Sequence, residues 1–395
     1  MTQHAQAFDQ WIRTDFKAIN TELEQLYFQQ QDKANVEGVG DDLKAKLESG
    51  GRAFIEKLLA EGNTDEGFDN NFDLLGNVGM YMAACRRHDL TEPSRERKSP
   101  LKAASALALH IGASLGVTPR FATSHLTTHC LAKAGVPKRF TSLDDEALFI
   151  DYNTLAVLAY KRAADALVRI LPMGISHPVA IHLLEDARLA LVDVAKWNQV
   201  LFDKLDSERF FNSVRPYYKP FRVGQHEYRG ANAGDFAGIN EIDMLLGLCQ
   251  ANNPFYSQLL VDKFLYMMPE DQRRLRDVMR RRSFLDDLLS AANTDADSDW
   301  FQQVLPAFLA VQQAHGHTAI QHHDQLVSRF IAKPSTEMAT QHLKQVTASG
   351  PPLEVLMRSL QGLRDLRAAA PRDDIPSRYR DIDALSALVK GQRHE

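Results

Sequence analysis

The sequence predicts an all-α protein, a small N-terminal helical domain followed by a larger helical bundle. Two observations carry this: apolar residues recur every three or four positions through most of the chain, and period-two runs of Val, Ile and Thr are nearly absent. The first stripe is Phe8, Trp11, Ile12, Phe16, Ile19, Leu23 and Leu26, one face of an amphipathic helix. The same spacing returns at 54–59, 155–171, 181–205, 244–248 and 353–366. Breakers fall at 63–71, 92–100, 135–143, 216–234, 291–298 and 349–352. The 135–143 break suggests a division into 1–138 and 139–395. The 216–234 connection is long and holds aromatics, Arg222, His226 and Arg229, and long ordered loops between helices tend to be functional.

Composition narrows the function. Over 395 residues, 46 Lys+Arg stand against 51 Asp+Glu, a net charge of −5, which argues against a dedicated nucleic-acid partner. The arginines at 273, 274, 276, 280, 281 and 282 read as a solvated helix face. Cys85, Cys130 and Cys249 are too few and too scattered for a disulfide framework or a four-cysteine zinc site. No Cys-x-x-Cys-His occurs, so haem is not attached covalently in the c-type manner. The N-terminus lacks a basic segment followed by an apolar core, and the most apolar stretch, 103–117, is interrupted by Ser105, His110 and Ser114. A cytoplasmic protein with no membrane partner is expected.

The histidine-rich segment holds His315, His317, His322 and His323. At 100° per residue, His323 shares a helix face with Gly316, Ile320, Val327 and Phe330. That face suits a flat apolar cofactor, with the imidazole on its metal and Gly316 leaving room for the plate. The competing reading is a hydrogen-bonded core histidine. A zinc site from His315, His317 and His323 is disfavoured, because the first two do not share the third's face. His125 and His129 stand at i, i+4 but lack the glutamate of His-Glu-x-x-His, and a polar helix face explains them equally. Arg229, Gly230, Ala231, Asn232, Ala233, Gly234 and Asp235 form a backbone-exposing loop, or else a tight helix connection; it is neither a Walker loop nor a dinucleotide fingerprint. Phe211 and Arg215, four apart, place an aromatic ring beside a fork-shaped cation, unless Arg215 is structural before Pro216.

Taken in order, these pieces resemble the haem-dependent indole-ring dioxygenase superfamily, closest to indoleamine 2,3-dioxygenase. Phe210-Phe211-Asn-Ser-Val-Arg215 is similar to the family's Phe-Phe-x-x-x-Arg. The 230–235 loop, with Asp243-Met-Leu-Leu-Gly247 behind it, resembles the Gly-Gly-Ser-Ala-Gly-Gln loop and its following helix. His323-Asp-Gln-Leu-Val-Ser-Arg-Phe-Ile331 is similar to the proximal helix, and Ser349-Gly-Pro-Pro352 sits where the family has a loop before a late helix. Tyr266-Met-Met-Pro269 resembles a further short match. The resemblance covers roughly 118–366.

The resemblance implies haem b with His323 on its iron, and Gly230, Ala233, Gly234, Gly316, Ile320 and Val327 about the cofactor. It implies an indole substrate held by Phe210, Phe211, Arg215, Ala231, Asn232 and Ser349, with O₂ as co-substrate. His125, on a distal helix that also offers Thr123 and Leu126, is the polar candidate for hydrogen-bonding O₂ or the indole N–H. Val157 is a further wall candidate. Two departures stand out: Ile320 replaces the arginine that binds a haem propionate, and Asn232 replaces the loop serine. The expected activity is O₂ insertion into the indole ring of tryptophan or a relative. The ring-rearranging pyrrolnitrin-pathway branch is the alternative on the same scaffold. Non-catalytic haem sensing and a helical protein whose haem site is lost are the others.

Overall fold

A computed structural model describes residues 1–62, 66–231, 235–332 and 353–391. Helix α1 (Gln3–Trp11) is capped by Thr2, whose hydroxyl accepts from the Ala5 N–H at 3.2 Å. It runs through a π-helical stretch, Ile12–Phe16, into α2 (Lys17–Phe28). The stripe read from the sequence is the buried face: Phe8, Ile12, Phe16 and Leu23 are fully covered. Against it pack α3 (Asp41–Glu61), α4 (Phe68–Arg87) and α5 (Lys102–Leu115). Arg87 fixes α4 to α2 through a two-pronged pair with the buried Glu24, at 2.7 and 2.9 Å, and reaches the Asn212 carbonyl at 3.0 Å.

After the short α6 (Thr123–Thr128), α7 (Asp144–Ile170) and α8 (Ala180–Lys204) pack along each other. Asp144, Asp145 and Glu146 open α7, where acidic groups complement the exposed N–H groups of a first turn. The chain then turns through α9 (Ser207–Arg209), a π-helical segment Phe210–Val214 and a 3₁₀ turn Arg215–Tyr218. The long 216–234 connection contains a hairpin, β1 (Phe221–Val223) with β2 (His226–Tyr228), pairing Phe221 with Tyr228 and Val223 with His226. No other paired strands occur among the described residues, and the protein is all-α as expected.

The second half supplies α10 (Gly238–Leu245), α11 (Pro254–Phe264), α12 (Pro269–Val278) and α13 (Phe284–Ala291). Helix α14 (Asp299–Gln321) lies on α8 and continues as π-helix through His322–Ala332. The late helices α15 (Leu353–Arg367) and α16 (Tyr379–Gly391) close onto α14.

Two apolar cores result. One joins α1–α5 to Phe140, Ile150, Val214, Tyr217 and Phe221, so residues well beyond 138 belong with the N-terminal helices. The other gathers the C-terminal part of α7, α8, α10–α14 and the late helices. No helix among the described residues is long and apolar enough to cross a membrane.

Candidate functional site

A cavity of about 790 Å³ lies where α7, α8, α10, α11, α15 and the π-helical segments Phe210–Val214 and His322–Ala332 meet. That is within the usual range for cofactor and small-molecule sites. Phe149, Val157, Leu201, Phe210, Val327 and Phe330 supply much of the apolar wall. Phe210 meets Phe330 edge-on, ring centroids 5.9 Å apart, which ties the two π-helical segments together. Such segments widen a helix locally and often mark functional positions.

His323 lines the cavity. Its Nδ1 stands 2.8 Å from the Asp324 carboxylate, and Arg364 braces that carboxylate at 3.2 Å. The pairing places the proton on Nδ1. Nε2 is buried and has no partner among the described residues. A carboxylate-oriented imidazole with its other nitrogen unclaimed is the arrangement of a metal-ligating histidine. With an apolar wall beside it, the site fits a planar metal cofactor held by one imidazole. Among the described residues no group of three or more His, Cys, Asp or Glu comes together to hold a bare metal ion.

Arg215 also lines the cavity and is 5% exposed. Its guanidinium lies 5.2 Å from the Phe211 ring centroid, and it has no hydrogen bond or ion pair with any described residue. Burial lowers its pKa to about 10, so it stays charged at neutral pH. A desolvated cation without a counter-ion is costly, and an anionic ligand would complete it.

The 229–235 loop is braced at both ends. The buried Arg120 pairs with Asp235 and donates to the Arg229 carbonyl at 3.0 Å, while the Thr123 N–H donates to Asp235 at 3.2 Å. Between the braces Ala231 reaches the cavity wall.

Beneath the cavity the Asp243 carboxylate is fully buried. It accepts from His315 Nε2 at 2.7 Å, from Tyr256 at 2.8 Å, and from Arg367 through Nε and Nη2, each at 2.8 Å. Burial alone would raise its pKa, but Arg367 and His315 overcome that and hold it well below the usual carboxylate range. The stabilisation from this ionisation is therefore present above about pH 4, the unfolded value, and is lost as pH falls towards the depressed native one. Asp243→Asn is expected to cost about 3–5 kcal/mol at neutral pH by breaking a buried pair. Its denaturant-derived stability is also expected to fall less steeply than wild type below about pH 4.

The family model for monodechloroaminopyrrolnitrin synthase PrnB matches residues 2–389. The chain belongs to this family. It is accordingly an enzyme, an oxidoreductase of the pyrrolnitrin-pathway branch of the haem-dependent indole dioxygenase superfamily. The match also takes in the first hundred residues, which the local motifs leave uncovered.

Within this synthase-family scaffold the structure sorts the sequence candidates. His323, Arg215, Phe210, Ala231 and Val327 meet at the cavity, as do Thr123 and Val157. Phe211 stands outside the wall and acts as the platform for the Arg215 guanidinium. Asn232, Ala233, Gly234 and Ser349 lie outside the described residues.

Four expectations need correction. Gly230 does not line the cavity; its backbone lies against that of Tyr218, where an added Cβ would collide with the carbonyl oxygen. Gly316 faces the end of α15 instead of a cofactor, a Cβ there meeting Ala368 Cα at 3.0 Å. Ile320 points away from the cavity and is 40% exposed. His125 is a core residue: its Nδ1 accepts from the Ala122 N–H at 3.0 Å, and its Nε2 donates to the Phe72 carbonyl at 2.9 Å. Its ring stacks on Phe72 at 3.8 Å, and burial lowers its pKa well below the usual value. No N–H remains for O₂ or substrate. His125→Ala is expected to cost about 2–4 kcal/mol through two unpaired backbone groups and a lost ring, measured by denaturant unfolding, while leaving the haem spectrum of the folded protein unchanged.

Sequence reasoning missed other wall residues. His322 opens on the cavity beside His323. Burial, then Arg367, lowers its pKa to about 4, so it is neutral at physiological pH. Lys263, Arg364 and Arg367 also line the wall. They come from α11 and α15, and no local motif announces them.

Proposed function

We propose that this protein binds haem b through His323 and, with O₂, rearranges the indole ring of tryptophan or a chlorinated tryptophan. Family membership favours rearrangement over simple insertion of O₂ into the ring. The observation that carries the substrate class is the unpaired guanidinium of Arg215 at the edge of a largely apolar cavity. An aromatic amino acid brings a carboxylate for that cation and a flat apolar ring for the wall.

Bound haem supplies the activation of O₂ and the redox chemistry. Residues of the chain supply position and environment. Asp324 keeps the proton of His323 on Nδ1 and so leaves Nε2 for the iron. Arg215, steadied by Phe211, takes the substrate carboxylate in two-pronged fashion. Phe210, Phe330 and Val157 hold the ring and exclude water from it. Arg120 and Asp235 fix the loop that carries Ala231 against the wall. The test is a spectral titration of haem-loaded protein. Chlorinated tryptophan is expected to shift the Soret band, and absence of a shift with every indole amino acid contradicts the reading.

A further inference from the structure

The cavity carries a second cationic position, distinct from Arg215. Lys263 and Arg367 both line it. The Lys263 ammonium makes no hydrogen bond or ion pair with any described residue. Arg367 spends Nε and Nη2 on Asp243, which leaves Nη1 without a partner among the described residues. Neighbouring cations on the same wall are already taken: Arg364 by Asp324 and Asp365, and Arg229 by Asp262. Two donors from two different helices thus face one cavity.

Their placement identifies the anion. Arg364 braces the Asp324 carboxylate that orients His323, and Arg367 follows three residues later on the same face of α15. Arg367 therefore stands about one helical turn, roughly 5 Å, along α15 from the brace of His323, and Lys263 lines the same cavity from α11. Arg215 stands apart from this group. Burial alone perturbs it, whereas Lys263 is perturbed by burial and then by Arg367 and Asp243.

We propose that Lys263 and Nη1 of Arg367 form the cradle for the carboxylate side chains of the haem. The inference rests on the haem reading above. Asp243 is then a positioning residue, aiming Arg367 while neutralising part of the cluster's charge.

The test compares haem with haem dimethyl ester, whose carboxylates are uncharged, by following loss of each to excess apomyoglobin. The intact protein is expected to release the ester at least about tenfold faster than haem. Lys263→Gln is expected to release haem several-fold faster and to narrow the gap between haem and ester. Arg367→Lys keeps a charge for Asp243 but lacks the second prong, and is expected to narrow the gap as well. Tryptophan affinity is expected to be unchanged in Lys263→Gln. Equal release of haem and ester by the intact protein overturns the cradle while leaving the haem reading standing. So does an undiminished gap in Lys263→Gln. Weakened tryptophan binding with an undiminished gap assigns the cations to the substrate instead. Failure of the intact protein to take up either porphyrin overturns the haem reading and this inference together.

Discussion

His323→Ala is expected to abolish stoichiometric haem uptake, while His322→Ala retains it. The two histidines are adjacent in sequence and both open on the same cavity, so the comparison isolates orientation from composition. His323 is pre-oriented: Asp324 holds its Nδ1, Arg364 braces Asp324, and Nε2 is buried without a partner among the described residues. No hydrogen bond to a described residue orients His322. An imidazole fixed by a carboxylate is a better metal ligand than one free to rotate, and such outer partners commonly change affinity 10–100-fold. Asp324→Asn is expected to weaken haem binding within about that range. Absorbance titration with haemin measures all three variants. A normal five-coordinate spectrum in His323→Ala refutes the assignment, and loss of uptake in His322→Ala transfers it to the neighbour.

Arg215→Lys is expected to weaken tryptophan binding about tenfold or more, yet leave haem content and the affinity of indole nearly unchanged. A buried guanidinium–carboxylate contact is worth roughly 1.5–3 kcal/mol per charge-assisted bond, and lysine offers a point charge in place of a planar fork. The Arg215 side chain has no hydrogen bond or ion pair with a described residue, so its replacement breaks no such link in the fold. Arg215→Leu is therefore expected to keep or raise thermal stability, since replacing an unpaired buried charge by an apolar side chain removes a desolvation cost. Parallel losses for tryptophan and indole, or unfolding of both variants, make Arg215 structural.

How far the sequence revealed this protein depends on where its helices stay regular. The stripe from Phe8 to Leu23 is visible because an α-helix repeats at a fixed angle, and the structure buries that face. The same rule fails at the proposed cofactor position. Helix α14 becomes π-helical at His322, so a constant 100° step no longer relates His323 to Gly316 and Ile320. Those two residues turn elsewhere, while His322 joins His323 at the cavity. His125 was ambiguous for a different reason: whether a histidine serves chemistry or two backbone groups depends on Ala122 and Phe72, and only Ala122 is near it in sequence. Lys263 and Arg367 lie on separate helices and are brought together by packing, which spacing along the chain does not disclose.

The central claim is that haem at His323 and a tryptophan-class substrate at Arg215 together support ring rearrangement. It is tested most directly by chromatography and mass spectrometry of the products from haem-loaded protein, supplied with a reductant, O₂ and chlorinated tryptophan. The account predicts haem-dependent formation of monodechloroaminopyrrolnitrin, lost in His323→Ala and reduced in Arg215→Lys. A ring-opened product that has gained both atoms of O₂, or no consumption of any indole amino acid by the haem-loaded protein, would contradict it.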